Sequence, residues 1–398
     1  MLKLRSSFPI FAQHPELVYL DSAATTQKPE VVFEALEAHY LHHNANIHRG
    51  LYPLAMQATE RYEIARAPVA RFIDAANPAE IIFTRGATES LNLLAATLSQ
   101  TWTKSQNIVL WEGEHHANLI PWQQTGLDLR FARTTKNGQI DLAHVVSLVD
   151  ANTVLISLSH CSNVLGRLTP VATLKKMLQE QGSAPLLCLD AAQSLPHVQV
   201  SVQGLGIDFL VGSGHKLYGP SGIGFLWGRR ELLEALPPYQ TGGEMISQVS
   251  LEGATWNALP WKFEAGTPNI EGAVAFGAAL EFLMEIGVEN IATHTAALWK
   301  LARAELAKID GLNLLGEPTP ELGILSFTVE GVHPHDLAEL LGHQNICIRA
   351  GHHCAAPLHK TLNISASSRI SIGIYTTEED ILTCTTAIHQ IIQDIKNA

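Results

Sequence analysis

The segment VGSGHKLYGPSGIGFLW, residues 211–227, is the part of the chain that decides the fold. An apolar strand is predicted to end at Ser213, a tight glycine-bounded turn holds Lys216, and a second strand begins at Gly222. A lysine in such a turn is held over the edge of the sheet and cannot extend to solvent as a helical lysine does. Partial desolvation then lowers the pKa of its amine and makes it nucleophilic. Taken alone, Lys216 is better explained as an ordinary loop lysine, and the functional interpretation depends on the residues described below.

Short apolar runs alternate with amphipathic stretches on both sides of this segment. The runs that we predict as strands are 80–84, 107–111, 127–132, 153–158, 185–190, 208–213 and 222–227. Helical patterns lie between them, for example at 88–98 and 170–181. Nearly continuous apolar strands that alternate with helices predict an α/β fold with a mostly parallel sheet between helices.

The pattern changes after the turn-rich stretch EAGTPN, residues 264–269. A long helical stretch from about 271 to 309 is broken near Gly287. It is followed by short strands and a final helix, which we predict at 322–330, 346–349, 369–374 and 377–395. We therefore predict a large domain at 19–265 and a smaller α+β domain formed by 1–18 and 266–398.

Composition limits the classes of function. Hydrophobic residues make up 46% of the 398 residues and charged residues 16%, which is typical of a globular protein. A net charge of −12 argues against nucleic-acid binding. The five scattered cysteines form no C-x-x-C pair, so we expect a reducing compartment and cytoplasmic localisation. We expect no signal peptide and no membrane span, because the apolar runs are too short.

A carboxylate and an amide follow the predicted strand at 185–190. Asp190 ends that strand one strand–loop unit before Lys216, and Gln193 comes three residues later. Pyridoxal phosphate (PLP) needs a carboxylate against its pyridine nitrogen, because the protonated ring is the better electron sink. Asp190 would supply that carboxylate and Gln193 would reach the phenolic oxygen. The alternative is that Asp190 is a cap or turn residue.

A phosphate site is predicted where RGATESLN, residues 85–92, opens a helix after a strand. Backbone N–H groups at Ala87 and Thr88 and the helix dipole favour an anion there. The Thr88 hydroxyl and the side chains of Ser213 and His215 would complete the site. The motif is weak alone, because many helices begin this way.

Two adjacent histidines lie in EHHANLIPW, residues 114–122. A planar imidazole at this position would stack on a cofactor ring and move protons near neutral pH. A zinc site is disfavoured, because adjacent histidines rarely face one metal and no cysteine or carboxylate falls at ligand spacing. We therefore expect no metal.

Cys354 differs from the other cysteines. It lies in ICIRAGHHCAAPL, residues 346–358, a polar, glycine-containing loop flanked by Arg349, which favours a thiolate. The other cysteines lie in apolar or strand-like stretches and are predicted to be inert; they are Cys161, Cys188, Cys347 and Cys384. Cys161 is close in sequence to Asn163, so a second thiol near the pocket stays open.

Taken in order, the motifs resemble the fold-type I PLP enzymes of the aminotransferase class V group, and within it the group II cysteine desulfurases. The resemblance covers nearly the whole chain and is carried by YLDSAATTQKP, NIHRG, TRGATESLN, EHHANLIPW, SNVLG, LDAAQS, SGHKLYGP, GGEMI, FEAGTPN and RAGHHCAAPL. It implies PLP bound to Lys216 and a persulfide formed on Cys354. It also selects His115, rather than His116, as the ring-stacking histidine and proton carrier.

The resemblance also implies substrate contacts. Arg369 is the counterpart of the family's carboxylate clamp, with Arg349 assisting it and Asn163 close to the cofactor oxygen and the carboxylate. His48 and Arg49 would line the pocket, and Thr267 would reach the phosphate of the neighbouring subunit of a homodimer.

The implied reaction converts L-cysteine, or L-selenocysteine, to L-alanine and supplies sulfur to a SufE-type acceptor protein for iron–sulfur cluster assembly. Two alternatives stay open. A selenocysteine lyase, or another class V lyase, would keep Lys216 and Asp190 without depending on Cys354. The second alternative is a non-enzymatic sulfur-relay protein. In such a protein the set of lysine, aspartate and arginine residues would have no function.

Overall fold

The computed structural model describes residues 2–316 and 322–397. The strands are β1 (Val18–Tyr19), β2 (Ile81–Thr84), β3 (Asn107–Trp111), β4 (Asp128–Ala132), β5 (Thr153–Ser159), β6 (Leu186–Asp190), β7 (Phe209–Ser213), β8 (Gly224–Gly228), β9 (Ile246–Val249), β10 (Ala254–Trp256), β11 (Leu312–Leu314), β12 (Ile324–Val329), β13 (Ile346–Cys347), β14 (Arg349–Gly351) and β15 (Ser367–Ser371).

The helices are α1 (Pro9–Gln13), α2 (Glu30–Ala38), α3 (Pro53–Ile64), α4 (Arg66–Phe72), α5 (Ala87–Leu98), α6 (Ile120–Gln123), α7 (Leu142–Leu148), α8 (Val171–Gln181), α9 (Val202–Leu205), α10 (Arg230–Ala235), α11 (Ile270–Ile286), α12 (Val288–Leu306), α13 (Pro334–Gly342), α14 (Ala356–Thr361) and α15 (Glu378–Asn397).

A seven-stranded sheet forms the centre of the larger part of the molecule. Its strand order is β2-β8-β7-β6-β5-β3-β4, and every neighbouring pair is parallel except the two that involve β8. Strands β2, β3, β7 and β8 are buried at every residue, because helices cover both faces of the sheet. The predicted α/β architecture with a mostly parallel sheet is confirmed.

A smaller antiparallel sheet of order β11-β12-β15-β14 has its own core. That core is built from residues 298–392 together with Val18 and Leu20 of the N-terminal segment. Helix α11 instead packs on α2 and α4, and its buried side chains belong to the core of the large sheet. The domain boundaries at 19–265 and at 1–18 with 266–398 stay a prediction.

One local prediction differs from the structure. The strand predicted at 346–349 is divided at Ile348, because β13 pairs with β1 whereas β14 pairs with β15. The final helix is capped by Thr377: its hydroxyl accepts the Asp380 N–H and the Asp380 carboxylate accepts the Thr377 N–H. The Thr376 hydroxyl accepts the Gly373 N–H.

Residues 2–316 and 322–397 contain neither a helix that could span a membrane nor a cluster of metal-ligating side chains. Across these residues, every helix is too short or too polar to cross a membrane. The same ranges contain no cluster of three or more His, Cys, Asp or Glu side chains that could hold a metal ion.

Candidate active site

The predicted chemical groups meet at one edge of the large sheet. Strands β2, β3, β5, β6 and β7 run in the same direction, so their carboxyl ends share that edge. Open α/β sheets bind ligands there, because the loops that follow the strands converge at that edge.

The turn that carries Lys216 is a single 3₁₀ turn, Gly214–Lys216, directly after β7. A side chain at Gly214 would place its Cβ 2.8 Å from the Ile223 carbonyl oxygen, so only glycine fits against β8. Burial lowers the pKa of the Lys216 amine, and Asp190 opposes that shift. The structure therefore shows the desolvated amine that the sequence predicts, and its action as a nucleophile stays a prediction.

Asp190 is a buried carboxylate at the end of β6. Its Oδ1 accepts the Ala192 N–H at 3.0 Å, and burial raises its pKa while that hydrogen bond and Lys216 lower it. Gln193 is also buried, and its amide donates to the Ala23 carbonyl at 2.8 Å. Both residues face the same cavity as Lys216.

The start of helix α5 lies beside the lysine turn. Gly86 precedes the helix with φ 150°, and the Ala87 N–H donates to the Ser213 hydroxyl at 2.9 Å. Thr88 and His215 line the cavity next to them. A helix start flanked by two hydroxyls suits a phosphate group, as the sequence predicts.

His115 follows β3 and presents a neutral ring to the cavity. Its Nδ1 accepts the Ala117 N–H at 3.1 Å, and burial, with Lys216 next in importance, lowers its pKa to about 3. The neighbouring Glu114 is buried and accepts hydrogen bonds from Ser159 and Asn118, which holds this loop against the end of β5. His116 donates its N–H to the Cys354 carbonyl at 2.7 Å.

Arg369 enters the cavity from β15 and is 3% exposed. Its Nη1 donates to the Asn163 carbonyl at 3.0 Å, and its Nη2 donates to Asp21 at 3.1 Å. The Nε atom has no hydrogen-bond partner among the residues that the structure describes. A buried guanidinium with a free donor is a binding site for an oxyanion such as an amino-acid carboxylate.

Cys354 lies in the turn between β14 and α14 and is exposed. His353 and Cys354 both have left-handed backbones, with φ of 50° and 57°. Besides the His116 contact, the Asn163 amide donates to the His353 carbonyl, so two hydrogen bonds fix this turn to the large sheet. The thiol is therefore both at the cavity and open to solvent.

One cavity of about 260 Å³ collects most of the predicted site residues. Those that line it are Ala87, Thr88, His115, Asn163, Asp190, Gln193, Ser213, His215, Lys216, Arg349, Cys354 and Arg369. Cys161 lines it too, so a second thiol does lie at the pocket.

Three predicted residues lie outside that cavity. His48 and Arg49 pair with Glu244, at 3.5 Å and 2.9 Å, and His48 also contacts Glu63. Thr267 lines a second cavity of about 470 Å³, which is larger than the first but holds neither Lys216 nor Asp190. Their contacts to substrate and cofactor stay predictions, and within one chain they do not meet the other site residues.

Sequence reasoning missed Asp21 and His353. Asp21 follows β1 and binds Arg369, and burial raises its pKa while Arg369 lowers it. The only signal for Asp21 was its place after a short apolar run in YLDSAATTQKP. His353 lines the cavity and pairs with Ser367 at 3.0 Å; nothing in the GHHC spacing distinguished it from His352.

Comparison with known proteins agrees with this geometry. Residues 18–383 match the family model described as aminotransferase class-V. A probable cysteine desulfurase of Halalkalibacterium halodurans is 43% identical, with 95% of each chain covered, and a cysteine desulfurase of Pectobacterium carotovorum is 42% identical, again with 95% of each covered. The solved structure of the Escherichia coli cysteine desulfurase CsdA is 36% identical with a TM-score of 0.90 and 98% of each chain covered. The apo cysteine desulfurase of Thermococcus onnurineus has a TM-score of 0.93 at the same identity and coverage. The chain therefore belongs to the class-V aminotransferase family.

Proposed function

We propose that this chain is a PLP-dependent cysteine desulfurase, which transfers the sulfur of L-cysteine to Cys354 and releases L-alanine. The observation that carries the proposal is that a single cavity joins the Lys216 amine, the Asp190 carboxylate, the Arg369 guanidinium and an exposed thiol. Relatives that are named cysteine desulfurase, and that match this chain over nearly its whole length, support the same reaction.

The residues present fit PLP. Lys216 would hold its aldehyde carbon, Asp190 its pyridine nitrogen and His115 the face of its ring, while the start of α5 and Ser213 would hold its phosphate. When bound, PLP withdraws electrons from the substrate Cα and makes the Cβ–S bond labile.

Three side chains of the protein have separate roles in substrate binding and proton transfer. Arg369 binds the substrate carboxylate through its free Nε and remaining donors, which orients the substrate. Lys216, whose pKa burial lowers, accepts the Cα proton because a neutral amine is a base. His115, with a pKa of about 3, covers the cofactor ring as a neutral imidazole; its role as proton carrier stays a prediction.

Sulfur transfer is balanced without an oxidant. The Cys354 thiolate attacks the substrate sulfur, an S–S bond forms, and the Cβ–S bond breaks with its electron pair left on the carbon skeleton. Protonation of Cβ then yields alanine, and Cys354 is left as a persulfide. The exposed position of Cys354 lets an acceptor reach that persulfide.

Two variants test the proposal. Borohydride reduction of wild-type protein should fix PLP on Lys216, and Lys216→Ala should lose both the label and turnover. Cys354→Ala should still bind PLP but lose alanine production, and mass spectrometry should find one added sulfur on the Cys354 peptide of wild type only. Cys347→Ala, at a half-buried cysteine away from the cavity, is the matched control and should keep its activity. Labelling of another lysine, or normal turnover by Cys354→Ala, would refute the assignment.

A selenocysteine lyase is the second candidate, and the place of Cys354 disfavours it. Such an enzyme would need Lys216 and Asp190 but no thiol at the cavity, whereas here two hydrogen bonds hold the Cys354 turn at its rim. If Cys354→Ala lost cysteine turnover but kept selenocysteine turnover, the thiolate would be needed only for the stronger C–S bond.

We also propose that the chain forms a homodimer. A homodimer is supported by His48, Arg49 and Thr267, which lie outside the cavity of their own chain, and by exposed apolar residues on the stretch that contains His48: Tyr40, Leu41, Leu51, Tyr52 and Met56. Sedimentation velocity tests it: a monomer at micromolar concentration would contradict it. A SufE-type acceptor, a role in iron–sulfur cluster assembly and cytoplasmic localisation are proposed from the family resemblance and the cysteine pattern.

A further inference from the structure

The carbonyl oxygen of His215 is surrounded by hydrogen-bond donors from the N-terminal segment 25–28. The Thr26 N–H and the Thr26 hydroxyl each approach it at 3.0 Å. The Thr25 hydroxyl lies at 3.2 Å and the Lys28 ammonium at 2.9 Å. Four donors therefore converge on one oxygen atom.

This oxygen belongs to the peptide group that joins His215 to Lys216. A carbonyl oxygen has two lone pairs, so two hydrogen bonds already satisfy it. A third or fourth donor therefore does not fill an unused acceptor position of the oxygen. Its effect is to restrict the orientation of the peptide plane. Because that plane precedes the Cα of Lys216, its orientation sets the direction in which the Lys216 side chain leaves the backbone.

Lys28 is the charged member of this group. The structure gives its ammonium two acceptors, both backbone carbonyls, namely those of His215 and of Thr26 at 2.6 Å. Burial lowers the pKa of Lys28 to about 7. A half-buried amine held by carbonyls alone is unfavourable for stability, because its partial desolvation is not offset by an opposite charge.

The Lys262 ammonium is held by backbone carbonyls in a similar way, at a different place in the fold. It also donates to two backbone carbonyls, those of Leu233 at 3.2 Å and Glu234 at 2.9 Å. These carbonyls lie at the carboxyl end of helix α10, where a cation is favoured by the unpaired carbonyls and the helix dipole. The His215 carbonyl belongs instead to the single 3₁₀ turn that carries Lys216, which is too short to have an appreciable helix dipole.

Residues 21–24, which directly precede this segment, contact the other parts of the site. Asp21 binds Arg369, the Ala23 carbonyl accepts from Gln193, and Ala23 and Ala24 line the cavity. The Thr26 hydroxyl also accepts the Tyr218 N–H at 3.0 Å, so the lysine turn is held on both sides of Lys216.

We infer that Lys28 is a positioning residue, whose ammonium fixes the His215–Lys216 peptide and so directs the Lys216 amine toward the cofactor aldehyde. The inference rests on the proposed function, because it assumes that Lys216 bonds to PLP. It adds a role for a residue that touches neither substrate nor cofactor.

The test measures how fast the apoprotein forms its covalent bond with PLP. Cofactor is removed, PLP is added, and the rate of growth of the visible band is followed, with borohydride trapping and mass spectrometry to locate the label. Lys28→Met should form the bond about tenfold more slowly than wild type, because one hydrogen bond from a charged donor is lost. Its thermal unfolding temperature should be unchanged or higher, because a partly desolvated charge has been removed.

Lys262→Met is the matched control, since it also removes an ammonium that donates to two backbone carbonyls. It should form the bond at the wild-type rate. Thr25→Val is a second variant that removes one uncharged donor from the same carbonyl, and its rate should lie between those of wild type and Lys28→Met.

The outcomes separate this inference from the proposed function. If wild type is labelled on Lys216 but Lys28→Met forms the bond at the wild-type rate, the positioning role is refuted and the proposed function stands. The role is also refuted if Lys28→Met and Lys262→Met are slowed equally, because the effect would then be general. A wild-type label on another lysine would refute both.

Discussion

Replacing Arg369 with lysine should weaken substrate binding without stopping the chemistry. A guanidinium has five N–H donors, and the structure assigns one to the Asn163 carbonyl and one to Asp21, which leaves Nε and two others for a carboxylate. Lysine keeps the charge but not the paired geometry, so one of two charge-assisted hydrogen bonds is lost. A bond of about 1.5 to 3 kcal/mol corresponds to a roughly 10- to 150-fold rise in KM for L-cysteine. The kcat should change much less, because the carboxylate is bound equally in the ground and transition states.

The assay compares two amines. Alanine production gives KM for L-cysteine, and a spectral titration compares L-cysteine with cysteamine, which lacks the carboxylate. Arg369→Lys should weaken the binding of L-cysteine and leave the binding of cysteamine nearly unchanged. Arg66→Lys is the matched control, because Arg66 is 2% exposed and bound to Glu264 but does not line the cavity, so it should affect stability and not KM. An unchanged KM in Arg369→Lys, or equal weakening for cysteamine, would refute the carboxylate assignment.

Further predictions concern the cofactor and the fold. Asp190→Asn should weaken PLP binding and turnover severely, and Gln193→Ala should do so less, as measured by PLP titration; equal affinities would place the ring-nitrogen partner elsewhere. Burial lowers the pKa of His197 to about 4 from 6.5, so the unfolded chain binds a proton that the folded chain does not. Stability present above pH 6.5 should therefore fall as the pH drops toward 4, by about 1.4 kcal/mol per pH unit for this group, and His197→Gln should flatten the decline in urea titrations. Gly214→Ala should destabilise the fold by about 1–3 kcal/mol, measured by thermal unfolding, because its Cβ would meet the Ile223 carbonyl.

The large sheet could be predicted because each of its strands except the edge strand β4 is a short apolar run between turn residues. Because both faces of these strands are buried, their residues do not alternate between apolar and polar. The runs are therefore distinct from surface strands. Lys216 and Asp190 could be placed because both follow such strands, and the carboxyl ends of parallel strands share an edge. Local pattern and one topological rule were therefore enough for the centre of the site.

The remaining parts depend on contacts between distant segments. Asp21 and Arg369 are 348 residues apart, and no periodicity in either segment indicates that they meet. The break at Ile348 arises because β13 and β14 pair with different strands, whereas the sequence there shows one apolar run. Hydrophobic patterns record which residues are buried, but they do not record which buried residues face each other.

The positions of Lys216 and Cys354 illustrate why two cores are needed. The amine has to be desolvated so that it is neutral and nucleophilic, and burial against the large sheet lowers its pKa. Under the proposed function the thiol has to remain open so that sulfur can leave, and Cys354 lies in an exposed turn that follows a strand of the smaller sheet. The His116 and Asn163 hydrogen bonds join that turn to the large sheet. The left-handed backbone at His353 and Cys354 is unfavourable for side-chain-bearing residues, and these two contacts fix the turn in that conformation. An open thiol can therefore be held beside a buried amine without the closure of a loop.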